Sequence, residues 1–261
     1  MIGLAKRILQ QLLGLETYLK VMHTSFITAY DAGLLRKNPE YKYHYFVSHL
    51  IRPGDCVVDI GANLGYFSKI FSRLAESNGK VICIEPVKPF FHTLQWALRN
   101  RNNCILFNHA LGVESRNIKM VLPRTKGFFR TGLAHIPFTE PLSKDHFVFE
   151  TEMVRGSMLL KDLPKIDYIK CDVEGYEEYV LPELREVIKE HKPLIQIETG
   201  GSHKFVIFAL LKELGYTQYG LFQQKLIKDF QDETEQGDYL FIHHVAEVKL
   251  LADLHKLNLI A

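Results

Sequence analysis

The chain has 261 residues, 47% of them hydrophobic, with 32 basic against 30 acidic side chains. That length suits one large α/β domain with additions, and the near-zero net charge gives no reason to expect a nucleic-acid partner. No apolar run is long enough to span a bilayer, and Lys6, Arg7, Gln10 and Gln11 interrupt the pattern a secretory leader needs, so a cytoplasmic protein is expected.

Residues 1–50 read as a helical extension ahead of a main domain over 51–261. Ile8, Leu9, Leu12, Leu13, Leu15 and Leu19 form an apolar stripe at helical spacing. Such a stripe either packs on the protein's own core or makes peripheral contact with a membrane surface; the first is the commoner case. Asn38-Pro39 then punctuates the chain, and Tyr41, Tyr43, Tyr45, Phe46 and His49 follow on a second helical stretch.

After Pro53-Gly54-Asp55 the pattern turns regular. Strands are predicted at 56–60, 80–84, 104–107, 168–171 and 194–197. Helices are predicted at 64–76, through Leu94 to Leu98, at 176–189 and at 203–214. Tyr216–Leu226 and Tyr239–His243 read as an antiparallel closing pair. The expected fold is therefore α/β: a doubly wound, mostly parallel, seven-stranded sheet with an antiparallel end. The interval from about 112 to 165 breaks the rhythm. Ile118–Leu122, Leu133–Phe138 and Phe147–Val154 look like short strands or loops, with Phe128, Phe129, Phe138, Phe147 and Phe149 arguing against disorder. We read this interval as a lid over the sheet edge. Cys56, Cys83, Cys104 and Cys171 form no CxxC pair, lie in or beside strands, and read as buried reduced thiols.

The most informative stretch is Val57-Val58-Asp59-Ile60-Gly61-Ala62-Asn63-Leu64-Gly65. It is a buried strand, a glycine turn and a helix start, and we expect a ligand to approach the turn backbone. The next strand, Val81–Ile84, ends in Glu85, at the spacing where nucleotide-binding α/β domains hold ribose hydroxyls. A phosphate-binding loop of the GxxxxGK[ST] type is excluded, because the lysine and hydroxyl are missing. The middle glycine of a dinucleotide turn is replaced by Asn63, which obstructs pyrophosphate. S-adenosylmethionine carries an adenosine and no phosphate, and fits the remaining requirements. Asp59 and the turn at Gly61, Asn63 and Gly65 are expected to hold its amino-acid tail, Glu85 its ribose, and Asn108 and Asp172 to complete the cofactor site.

The segments VVDIGANLGYFS (57–68), VICIEP (81–86), NHALG (108–112), IDYIKCDVEGYE (166–177) and PLIQIE (193–198) resemble the FkbM family of S-adenosylmethionine-dependent methyltransferases. The fourth segment is the most specific. The resemblance covers roughly residues 53–200 and implies a class I methyltransferase fold. It also implies O-methyl transfer to a small-molecule hydroxyl on a sugar, glycolipid, polyketide or similar acceptor.

An alcohol needs help to lose its proton, so a base or a cation is useful at the sheet edge. Asp172, Glu174 and Glu198 are the catalytic candidates, acting as base or together holding a divalent cation. The plainer reading makes Glu174 a helix cap and Asp172 a cofactor or backbone contact. His109 and His203 are weaker base candidates, and Lys170 is expected to pair with Glu174 or Glu198. Phe91 and Trp96 are either core or an adenine sandwich. The alternatives to O-methylation are a cofactor-binding or partner-docking module without turnover, and transfer to nitrogen or a macromolecule. Asp-Val-Glu-Gly offers no aromatic platform for a flipped base, which argues against a nucleic-acid substrate. Monomer and dimer are both compatible with the sequence.

Overall fold

The computed structural model describes all residues except 1, 126–127, 130, 138–145, 202 and 231–235. Gly127, Phe138 and Pro141 of the predicted lid lie outside the described residues, as do the side chains of Phe128 and Phe129.

The chain opens with α1 (Ile2–Asp31), interrupted at Gly14, whose φ of 72° is non-helical. The short α2 (Lys42–Phe46) follows Asn38, whose side chain caps the turn at Pro39. Then come β1 (Cys56–Ile60), α3 (Tyr66–Leu74), β2 (Lys80–Ile84), α4 (Lys88–Leu98) and β3 (Cys104–Phe107). A second group is β4 (Ala110–Gly112), β5 (Arg116–Thr125), β6 (Phe128–Phe129) and β7 (His146–Arg155), followed by α5 (Gly156–Leu160). The main sheet resumes with β8 (Tyr168–Cys171), α6 (Glu177–Glu183), α7 (Arg185–His191), β9 (Leu194–Gly200) and α8 (His203–Glu213). It closes with β10 (Tyr216–Phe222), β11 (Lys225–Lys228), β12 (Gln236–His243) and α9 (His244–Lys256).

The main sheet has eight strands in the order β11-β10-β12-β9-β8-β1-β2-β3. β3, β2, β1, β8 and β9 run parallel, and β12, β10 and β11 pair antiparallel. Its parallel strands are continuous apolar runs because both faces are covered. Val57, Val81 and Tyr168 face one buried cluster, while their neighbours Val58, Ile82 and Ile169 face the other. The sheet has one strand more than predicted. Tyr216–Leu226 is not a single strand but a hairpin, turning at Gln223 and Gln224 with φ of 47° and 63°. The predicted helix over 176–189 is two helices broken at Leu184, just past Pro182. α9 has no counterpart in the sequence reading.

The interval predicted as a lid forms a second sheet, ordered β4-β7-β5-β6. Its long pair β5–β7 is antiparallel from Arg116↔Met153 to Pro123↔His146. Within Leu133–Phe138, read as a short strand or loop, a 3₁₀ turn at Thr131–Leu133 leads into a single bridge from His135 to Val121.

A third apolar cluster joins the distant parts. Tyr18 and Leu19 of α1 pack with Leu64 of the glycine turn, Val87 and Phe90 at the start of α4, and Met120, Leu122 and Met153 of the second sheet. The apolar stripe of α1 therefore splits at the Gly14 kink: Leu19 is fully buried, whereas Leu12 is 77% exposed. Among the described residues, no helix is long and apolar enough to cross a membrane.

Candidate active site

The polar residues predicted at the strand ends do collect along the carboxyl edge of β2, β1, β8 and β9. Asp59 on β1 sits opposite Lys170 on β8, and Cys171 opposite Ile197 on β9. Asp172 and Glu198, each one residue further on, are thus neighbours.

The glycine turn is dictated by the protein's own packing. Gly61 has φ of 78°, and a Cβ there would lie 1.8 Å from the carbonyl oxygen of Asp172. Gly65 has φ of 83°, and its Cβ would press to 2.7 Å from Leu94 Cδ1. The protein's own packing therefore already requires these two glycines. Every backbone N–H from 61 to 65 already has an internal acceptor. Gly61 and Ala62 donate to Ile84 O, Gly65 to Ala62 O, Asn63 to Glu85 Oε2 and Leu64 to Asn63 Oδ1. A turn so committed has no spare donors to cradle pyrophosphate.

Glu85 is buried, and both carboxylate oxygens accept: Oε2 from Asn63 N–H and Oε1 from Val87 N–H, each at 2.7 Å. Burial pushes its pKa up to about 7, against the lowering effect of those two bonds. Asn108 does not line the cleft. Its side-chain amide donates to the carbonyls of Glu85 and Pro86 at 2.8 and 3.0 Å and fixes the exit of β2. Asn108 and Gly65 stand behind the site, whereas Gly61, Asn63, Glu85 and Asp172 line it.

The cleft has two halves, which share Gly61, Asn63 and Asp172. The first is largely apolar, with Ile60, Phe90, Met120 and Ile136 among its walls and Glu85 in its floor. Phe90 faces this space. Phe91 packs on the core, and Trp96 meets His23, Lys20 and Arg99 at the junction of α1 and α4.

The second half is acidic, lined by Asp59, Asp172, Glu198 and Asp238 around Lys170. Lys170 is 5% exposed and pairs with Asp172 Oδ2 at 2.8 Å, not with Glu174 or Glu198. Burial opposes its charge, but Asp172 and Asp59 outweigh that and raise its pKa. Asp59 is fully buried. Ser68 donates to its Oδ2 at 2.6 Å, and its Oδ1 has no partner among the described residues. Burial, then Asp172 and Asp238, raises Glu198 to about 8; burial, then Asp172 and Glu198, raises Glu174 to about 8. The loop-capping carboxylate is Glu177, which accepts from Val173 and Gly175 N–H. Among the described residues, no group of three or more His, Cys, Asp or Glu is arranged to hold a metal ion.

Three participants escaped the sequence reading. Asp238 reaches the cleft because β12 pairs it with Glu198. His44 stacks on Phe67 at 3.8 Å in the cleft wall, where burial depresses its pKa to about 3. His23 touches the glycine turn from α1. Of the predicted histidines, His109 lines the first half near Glu152, and His203 pairs with Glu178 at 2.7 Å.

An acid-rich cleft, one orphaned carboxylate oxygen and a turn without free donors suit a cationic, phosphate-free nucleoside. Together with the topology they agree with the fold and cofactor that the resemblance to class I S-adenosylmethionine-dependent methyltransferases implies. The family model described as "Methyltransferase FkbM domain" matches residues 59–217, more than half of the chain, and the chain belongs to that family. Comparison with curated proteins gave no match. Among solved structures, methyltransferase FkbM from Methylobacillus flagellatus KT is 19% identical with a TM-score of 0.49, over 79% of this chain and 50% of that one. This chain thus spans about half the length of that protein. A putative rRNA methylase from Clostridium thermocellum is 13% identical with a TM-score of 0.49, over 79% of this chain and 96% of that one. A putative methyltransferase from Streptococcus mutans, solved in complex with SAH, is 13% identical with a TM-score of 0.46, over 78% and 96%.

Proposed function

We propose that the protein methylates a hydroxyl of a small-molecule acceptor, such as a sugar, glycolipid or polyketide. The observation that carries this reading is the acidic half-cleft, where Glu198 lies beside Asp172 and Asp238. Carboxylates repel a phosphodiester backbone, which disfavours a nucleic-acid acceptor. They suit a neutral, hydroxylated one.

When bound, S-adenosylmethionine supplies a methyl group already activated on a sulfonium. Glu85 would accept from the ribose hydroxyls, while Asp59 Oδ1, Gly61 and Asn63 would face the amino-acid tail. Asp172, held by Lys170, lies where the two halves meet. Glu198 removes the acceptor proton, its raised pKa matching it to that task near neutral pH. Glu174, raised equally, is the second carboxyl available to the same proton. Holding the acceptor at attack distance can supply about 7–11 kcal/mol of barrier reduction. The side-chain base is preferred to a divalent cation because Lys170 already occupies Asp172.

The test uses radiolabelled S-adenosylmethionine with sugars, glycolipids, polyketides and RNA as acceptors. Label in a hydroxylated small molecule, reduced roughly 10²–10⁴-fold by Glu198→Gln with cofactor affinity retained, supports the reading. Label in RNA alone, or an unimpaired Glu198→Gln enzyme, contradicts it. Cofactor binding with no turnover on any acceptor favours the binding module.

A further inference from the structure

A second cavity lies on the other side of α2 from the acidic half-cleft. Tyr43 and His44 line the cleft, whereas Lys42, Tyr45 and Phe46 line this cavity of about 300 Å³. Its charged wall is opposite in sign. Arg36, Lys42 and His49 contribute to it, and among the described residues no carboxylate does. Neither Arg36 nor Lys42 has an ion-pair partner among the described residues. Two cations on a wall without a carboxylate give the concavity a positive potential that favours an anion.

The wall is also pre-organised. The Arg36 guanidinium lies over the Tyr45 ring at 5.0 Å, and Tyr45 stacks on Tyr30 at 4.5 Å. Tyr45 OH donates to Tyr30 O at 3.0 Å, and Tyr30 OH donates to His44 O at 3.1 Å. Ser48 OH donates to Tyr45 O at 2.7 Å. These bonds fix the aromatic floor before any ligand arrives, so the platform itself needs no ordering on binding. Lys42 also lies within electrostatic reach of Asp238 in the neighbouring cleft, so the two chambers adjoin.

We propose that this cavity binds a phosphate group carried by the methyl acceptor, with Arg36 and Lys42 as its ligands and Tyr45 as the flanking platform. The proposal rests on the hydroxyl-acceptor reading above. It divides the acceptor in two: the neutral hydroxylated end enters the acidic cleft, and the anionic end stays beyond α2, where the charge is favourable. A guanidinium and an ammonium together match a phosphate ester in charge and donor number. The phosphate can belong to a soluble ester or to a lipid headgroup.

The full chain, loaded with S-adenosylmethionine, is titrated with glycerol phosphate, and with vesicles of phosphatidylglycerol against phosphatidylcholine. Saturable binding of glycerol phosphate is expected, weakened about tenfold or more in Arg36→Gln/Lys42→Gln. Cofactor affinity in that variant should stay at the wild-type value, which shows that the variant is folded. Vesicle binding that needs phosphatidylglycerol and both cations assigns the phosphate to a lipid. Glycerol phosphate binding without vesicle binding assigns it to a soluble ester, and either result supports the proposal. Absence of saturable binding to both probes, or equal binding by the variant, overturns it. Because cofactor affinity and Glu198→Gln are read separately, this failure is distinct from failure of the hydroxyl-acceptor reading.

Discussion

His23 Nδ1 lies 2.8 Å from the carbonyl oxygen of Leu64, joining the N-terminal helix to the glycine turn at the head of the cleft. A carbonyl can only accept, so the ring nitrogen donates. His23 is 4% exposed, and burial lowers its pKa to about 4, so the neutral donor persists across working pH. His23→Leu should cost about 1–3 kcal/mol of stability by orphaning a buried acceptor, and should also weaken cofactor binding. His23→Gln, which keeps an N–H donor, should restore most of the affinity. Thermal unfolding and cofactor titration of the two variants check this, and identical affinities in His23→Leu and wild type would refute it.

Two glycines separate backbone preference from packing. Gly61 and Gly175 have φ of 78° and 94°, but a Cβ meets the Asp172 carbonyl at 1.8 Å in the first and nothing within 4 Å in the second. Gly175→Ala should cost only about 1–2 kcal/mol, the usual penalty of a left-handed alanine. Gly61→Ala should exceed about 4 kcal/mol, because a backbone carbonyl must move. Denaturant unfolding of the pair decides it, with equal costs as the contrary result.

The pH dependence follows from three carboxyl groups held protonated by burial. Glu85 titrates at about 7, and Glu174 and Glu198 at about 8, in the folded cofactor-free protein. All three lie above the ordinary carboxyl value, so the folded state binds more protons than the unfolded chain. Their stabilising effect is complete below about pH 4.5, the ordinary carboxyl value, and is lost progressively as pH rises from there to 7–8. Each contributes a slope of at most about 1.4 kcal/mol per pH unit. Unfolding temperature should therefore fall from pH 6.5 to 8.5 without cofactor. A bound cation reverses the balance and favours the ionised carboxylates. Cofactor binding at pH 7.5 should release protons, measurable as a buffer-dependent heat, and proton uptake would contradict this account.

Much of the frame was legible because strands buried on both faces leave uninterrupted apolar runs, as at Cys56–Ile60 and Tyr168–Cys171. Asp59, Glu85, Asp172 and Glu198 were legible for a related reason, since each ends such a run. The hairpin at Gln223-Gln224 was not, because neither residue is a usual turn former and the flanking strands read as one. α9 buries only Leu250 and Leu254, too narrow a stripe to stand out. The contributions of His23, His44 and Asp238 depend on contacts between elements far apart in sequence. His44 sits in a Tyr-rich stretch that reads as plain aromatic periodicity, and Asp238 is placed only by the register of β12 against β9. That Asn108 and Gly65 stand behind the cleft depends on how the strand ends pack, which spacing along the chain does not record.

The most direct measurement is calorimetric titration of the protein with S-adenosylmethionine and its demethylated product, in wild type and Glu85→Ala. Saturable binding of both ligands is predicted, with the substitution costing about 1–3 kcal/mol as charged hydrogen bonds to the ribose are lost. No heat from either ligand, or an affinity indifferent to Glu85, would contradict the placement of the cofactor over β1 and β2.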